Sequence, residues 1–273
     1  MPRGLKGGFV THWQVMGQGP RAALAIHCSL AHSGAWAGVA RALGSHMTVT
    51  AFDLPGHGSS GAWKNKGEIQ AVSTAMAADL LDGPADIIGH SFGATVALRL
   101  AATHPHLVRS LSLYEPVFFA VALTDQPQLR AGHEAEMAEY RAGLATGDMR
   151  SAARGFLRVW GDGGGWDALP GPARTRIAAQ MPLIDAAASA LYEDAGGMLA
   201  SGALERITIP TLLMQGARSP AIIGAINEGL AARLPDCRCA TISGADHMGP
   251  ISRPQAVAKQ IANFLGIPAR SHG

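Results

Sequence analysis

The sequence predicts an α/β protein: a mostly parallel central sheet with helices on both faces, and a helical cap inserted before the last strands. Three observations carry this. Short continuous apolar runs, the mark of strands buried on both faces, alternate with segments of helical spacing. The alternation stops near residue 117 and resumes near residue 207. Of the 273 residues, 48% are hydrophobic and only 15% charged, against about 25% charged in ordinary globular chains. That composition fills a large core and argues against disorder.

The elements follow in order. "FVTHWQVMG" (9–17) alternates and closes on glycine, which predicts an edge strand. "AALAIH" (22–27) is a buried strand, "WAGVARALG" (36–44) a helix with a glycine stop, and "MTVTAFD" (47–53) a strand. "EIQAVSTAMAADLLDG" (68–83) places Ile69, Val72, Met76 and Leu80 at helical spacing, ended by Gly83-Pro84. "ADIIGH" is a strand, "GATVALRLAATHP" a helix stopped by Pro105, and "VRSLSLYEP" a strand. Late in the chain come "IPTLLMQG" (strand), "AIIGAINEGLAARLP" (helix), "CRCATISG" (strand) and "QAVAKQIANFLG" (helix). Strands alternating with helices imply right-handed β-α-β units. The expected organisation is a core of residues 1–116 and 207–273 and a cap of residues 117–206, Ala-rich, helical and broken by "WGDGGGWDALPGP" (160–172). Such an insertion covers the carboxyl edge of the sheet, where ligands of open α/β sheets bind.

Charge and cysteine content narrow the function. A net charge of +2, without a basic run, argues against nucleic acid or a membrane surface as partner. Cys28, Cys237 and Cys239 form neither a disulfide framework nor a zinc spacing, and a reduced, cytoplasmic setting is expected. "MPRGLKGGFV" lacks the apolar core of a signal peptide, and no apolar run is long enough to span a membrane. There is no dinucleotide fingerprint, phosphate loop or metal cluster, so no cofactor is expected. A surface poor in charge is compatible with a monomer or a homodimer.

"DIIGHSFGA" sets Gly-His-Ser-Phe-Gly, residues 89–93, between a buried strand and a helix. This is the context of a nucleophile elbow. Ser91 takes a strained backbone conformation that lifts its Oγ above the sheet, and Gly89 and Gly93 let strand and helix approach. The following helix aims its positive end at the site.

With "IHCSLAHSGAW" (26–36) and "FDLPGHGSS" (52–60), the elbow resembles the α/β-hydrolase superfamily over nearly the whole chain. The first stretch is similar to that family's oxyanion loop, with Cys28 where a glycine is usual. The second is similar to its Asp-X-Pro-Gly-His-Gly-X-Ser turn. The resemblance implies an oxyanion hole made by the backbone N–H groups of Ser29 and Phe92. It also implies a late histidine as general base, and "ISGADHMGP" (242–250) resembles the family's histidine loop, which makes His247 that base. Among the other ten of the 11 histidines, His27 and His57 fit ordering roles. His32, in the oxyanion loop, and His90, in the elbow, are candidate pocket residues; His12, His46, His104, His106, His133 and His272 carry no such motif.

The family's usual place for the acid is the loop after "PTLLMQG". There the tetrad is Gly216-Ala217-Arg218-Ser219, and a serine holds no charge at neutral pH. "VRSLSLYEPV" offers Glu115 at the end of the strand after the nucleophile helix, and this resembles the relocated acid of the haloalkane dehalogenase branch. Asp246 beside the base, or a dyad assisted by water, are the alternatives.

A serine nucleophile argues against dehalogenase or epoxide hydrolase chemistry, which relies on a carboxylate there. The expected activity is hydrolysis of a carboxylic ester, thioester or lactone through an acyl-enzyme on Ser91. C–C bond hydrolysis, peracid formation, acyl transfer, or a weakly catalytic ligand receptor on the same fold are alternatives. The cap supplies Phe118, Phe119, Trp160, Trp166, Met181 and Met198; most are expected in its core, with Trp160 a candidate pocket residue. The expected partner is a small apolar acyl substrate.

Overall fold

The computed structural model describes residues 2–268. Its strands are β1 (Arg3–Lys6), β2 (Phe9–Met16), β3 (Arg21–Ile26), β4 (Met47–Phe52), β5 (Ala85–His90), β6 (Val108–Tyr114), β7 (Thr211–Gly216) and β8 (Cys237–Ile242). They form one sheet in the order β1-β2-β4-β3-β5-β6-β7-β8. β1 and β2 are antiparallel to their neighbours and every later pairing is parallel.

The helices α1 (Ala37–Leu43), α2 (Ile69–Asp79) and α3 (Phe92–Thr103) alternate with the first strands. Between β6 and β7 the chain forms α4 (Phe119–Asp125), α5 (Leu129–Glu136), α6 (Ala138–Thr146), α7 (Met149–Trp160), α8 (Gly171–Asp185) and α9 (Ala188–Tyr192). α10 (Ala221–Ala231), α11 (Gly249–Ser252) and α12 (Pro254–Leu265) complete the fold.

The period-two pattern of the strands divides the core. On one face Leu24, Ile26, Ile87, Leu111 and Leu213 pack with α2, α3 and α10. On the other, Ala23, Ala25, Ile88, Leu212 and Met214 pack with α1 and α12. Such strands read as continuous apolar runs because neither face meets water.

The stretch 9–17 is not an edge strand. β1 lies outside β2, joined to it by Gly7 and Gly8, whose φ angles are 54° and 78°. Two successive residues with positive φ make a tight hairpin turn that matches strand twist. "LKGGFV" carried that signal, although β1 alone is too short and polar for a periodic pattern.

Candidate active site

Four neighbouring strands of the sheet, β5, β6, β7 and β8, end at the same edge and deliver Ser91, Glu115, Ser219 and the His247 loop in that order. Ser91 caps α3 with φ 56° and ψ −121°, a conformation that side chains rarely adopt. Its amide donates to Tyr114 O at 2.9 Å, which ties the elbow to the end of β6. The elbow glycines are required by contact rather than by φ. A Cβ on Gly89 would meet Ala94 Cα at 2.5 Å, and one on Gly93 would meet Ile26 O at 2.3 Å.

The imidazole of His247 bridges the other two groups. Its Nε2 lies 3.0 Å from Ser91 Oγ and its Nδ1 2.7 Å from Glu115 Oε2. Glu115 is fully buried, and Ser91 and His247 are buried to within a few per cent. With Nδ1–H donating to the carboxylate, Nε2 is left as the acceptor facing the serine hydroxyl.

The second carboxylate oxygen of Glu115 is also engaged. Oε1 accepts the Gly216 N–H at 2.7 Å and the Ser219 hydroxyl. Ser219, at the position where an acid was expected, therefore supplies a donor to the Glu115 carboxylate at the end of the adjacent strand. Glu115 itself has a positive φ of 47°, and its amide donates to Met214 O at 2.9 Å. Asp246 takes no part at Nδ1: its carboxylate accepts Met248 N–H at 3.0 Å and pairs with Arg218 at 3.2 Å.

Tyr114, without a role in the sequence patterns, and His90, expected in the pocket, instead hold the loop that carries His247. Tyr114 Oη donates to Asp246 O at 2.6 Å. His90 Nε2–H donates to the His247 carbonyl at 2.8 Å. Burial drives the His90 imidazole well below its ordinary 6.5, with His247 adding to the effect, so it is neutral. His90 thus faces the base loop and lines neither cavity described below.

The loop after β3, which carries Cys28 and Ser29, rests on a scaffold of neutral histidines. His57 Nδ1–H donates to Pro55 O at 2.9 Å, and its Nε2 accepts Leu30 N–H at 3.1 Å. His27 donates to Cys28 O at 2.7 Å and accepts Leu54 N–H at 3.0 Å. Burial lowers the pKa of both rings. It raises the Cys28 thiol to about 12, which leaves it protonated. Among the described residues neither Ser29 N–H nor Phe92 N–H has a protein acceptor, and Phe92 is the first residue of α3.

Two cavities of about 470 and 950 Å³ meet at the site, sharing Ser29, Ser91, Phe156, Trp160 and His247 in their walls. The rings of Trp160 and His247 pack edge-to-face, with centroids 4.8 Å apart. The smaller lobe runs between α4, α6, α8 and α9 past Phe119, Met137, Leu191 and Tyr192. It also meets Arg130, Arg141, Asp185 and Glu193, so it is less uniformly apolar than composition led one to expect. The larger lobe follows the oxyanion loop, where His32 lines it while capping the 3₁₀ turn Ser33–Trp36. Of the other large apolar residues of the cap, Phe118, Trp166, Met181 and Met198 are core.

The family model of the alpha/beta hydrolase family matches residues 23–260. The chain is 32% identical over 224 residues to a pimeloyl-(acyl-carrier protein) methyl ester esterase of Neisseria meningitidis serogroup C, covering 80% of this chain and 82% of that protein. It is 30% identical over 258 residues to the protein of the same name from Chromobacterium violaceum, covering 92% and 96%. The crystal structure of an alpha/beta hydrolase from Sphaerobacter thermophilus superposes with a TM-score of 0.70 at 23% identity, covering 97% of this chain and all of that one. The chain belongs to the alpha/beta hydrolase family. It is an enzyme of that family whose relatives carry the names of esterases and lipases. Among the described residues, no helix is long and apolar enough to cross a membrane.

Proposed function

We propose that this chain is a serine hydrolase of carboxylic esters. Ser91 is the nucleophile, His247 the general base, Glu115 the orienting acid, and the Ser29 and Phe92 amides the oxyanion hole. The observation that carries the reading is the continuous line from Ser91 Oγ through His247 Nε2 and Nδ1 to Glu115 Oε2, at 3.0 and 2.7 Å, on the wall of two cavities.

In this mechanism His247 Nε2 takes the Ser91 proton as Oγ attacks the carbonyl carbon. The positive charge that forms on the imidazole is balanced by the buried Glu115 carboxylate. The negative oxygen of the tetrahedral intermediate accepts the two free amides, each such donor being worth about 3–4 kcal/mol. Collapse returns the proton from Nε2 to the departing alkoxide and leaves Ser91 acylated. Water, activated by the same imidazole, then releases the acid. The two lobes receive the two arms of the ester, and their largely apolar walls favour an acyl chain of small or medium size.

A fluorophosphonate probe tests the reading. It is expected to label the wild-type protein and not the Ser91→Ala variant, and wild type is expected to turn over p-nitrophenyl esters. A folded wild-type protein that stays unlabelled overturns the proposal.

A further inference from the structure

We propose that Tyr192 makes the smaller lobe a subsite for a substrate arm bearing an acceptor oxygen several bonds from the scissile carbonyl. The inference rests on the esterase reading for the identity of the scissile bond, but its own observations are independent of it.

His133, on α5, is only 3% exposed. Its Nε2 lies 2.8 Å from the Tyr192 hydroxyl, while its Nδ1 is buried with no hydrogen-bond partner. A neutral imidazole carries one N–H and one bare nitrogen. If Tyr192 donated to Nε2, the N–H would sit on Nδ1, buried and unsatisfied, and orphaned buried N–H groups are the rarer defect. The cheaper arrangement protonates Nε2, which donates to the tyrosine oxygen and leaves Nδ1 as the bare acceptor. Burial pulls the His133 pKa down to about 4, so a doubly protonated ring does not intervene at neutral pH.

The hydroxyl proton of Tyr192 is then free. The guanidinium of Arg141 stands over the tyrosine ring, 5.9 Å from its centroid, and, carrying donors only, it cannot take the hydroxyl proton. Phe119 stacks on the same ring at 4.5 Å and fixes its plane. Tyr192 lines the lobe that begins at Ser91 and His247. An O–H with no protein acceptor among the described residues, on a ring held by stacking, is a prearranged donor to a ligand. Arg130 and Arg141 both pair with Glu134, at 3.9 and 3.7 Å, and Asp185 and Glu193 share the lobe with them. The two arginines thus face three carboxylates, which leaves no net positive charge for an anion, and an uncharged acceptor such as an ester or ketone oxygen fits better than a free carboxylate.

The test uses binding to the Ser91→Ala protein, where turnover plays no part. Calorimetry would compare dimethyl dicarboxylates of increasing length with methyl alkanoates of matching length. The expected result is a preference of about five- to tenfold for the diester at one chain length, the worth of one hydrogen bond. Adding Tyr192→Phe, which keeps the stacked ring, is expected to abolish that preference. Nitrogen-15 NMR of the His133 ring is expected to find Nε2 protonated and Nδ1 bare. Equal binding of the two series, a preference that survives Tyr192→Phe, or a protonated Nδ1 overturns the subsite. Failure of the esterase reading looks different: the wild-type protein would bind the diester and cleave neither series.

Discussion

At the residue scale, the proposed acid, Glu115, is where this site departs from the arrangement usual in the family it resembles. Glu115 accepts three hydrogens: His247 Nδ1–H on Oε2, and the Gly216 amide and Ser219 hydroxyl on Oε1. A carboxylate held from both sides keeps its orientation as the imidazole charges, which is what an orienting acid must do. Glu115→Gln is therefore expected to lower kcat by about 10⁴, with circular dichroism unchanged. Ser219→Ala removes only the hydroxyl, leaving the amide, and is expected to lower kcat about tenfold. In a Glu115→Ala background, Ser219→Asp is expected to recover part of the lost rate, because it returns a carboxylate to the adjacent strand end. Steady-state kinetics on one p-nitrophenyl ester decides all three, and unchanged kcat in Glu115→Gln would remove that residue from the mechanism.

At the element scale, the decisive contact is between α3 and the end of β3. Gly93 sits so close to β3 that an added Cβ would lie 2.3 Å from Ile26 O and 2.5 Å from His27 O. Both atoms are backbone, so the strain cannot be relieved by a rotamer change. Gly93→Ala must push α3 away from the strand that leads into the oxyanion loop. The expected cost is about 2–3 kcal/mol of stability, read as a lower denaturant midpoint, together with a fall in kcat. A variant that keeps both would show that the elbow tolerates movement the packing denies it. The helices between β6 and β7 do different work: α7 ends on Trp160 against His247, and α9 ends on Tyr192 in the smaller lobe.

At the scale of the whole molecule, buried neutral histidines link stability to pH. His27 and His57 each use one ring nitrogen as donor and the other as acceptor, so neither can take a second proton without losing a bond. Burial depresses both pKa values below the ordinary 6.5, that of His27 to about 3. The unfolded chain takes up protons that the fold refuses. The stability these rings contribute is therefore complete above 6.5 and is lost as pH falls from 6.5 toward 3. Each such histidine adds a slope of roughly 1.4 kcal/mol per pH unit. Chemical denaturation at a series of pH values checks this, and a midpoint that stays flat below pH ~6 contradicts it.

Much of this was legible along the chain, because the informative patterns are local. Apolar runs alternating with helical spacing specify parallel strands with helices on both faces, and the strained turn at Gly89–Gly93 is written in five consecutive residues. The motifs around Ser91 and His247 are likewise short, since each is the steric solution to one turn. Other features depend on which strands become neighbours. "LLMQGARSPA" lacks an acid, and no local pattern tells that β6 lies beside β7, so that Ser219 reaches the carboxylate of Glu115. His90 presents itself in sequence as a pocket residue, yet its ring turns to the carbonyl of a loop 157 positions away. The pairing of His133 with Tyr192 spans two helices of the insertion in the same way. Local sterics and periodicity determine strands, turns and the elbow from sequence alone. Side-chain partners are chosen by strand order and helix packing, which only the closed tertiary structure decides.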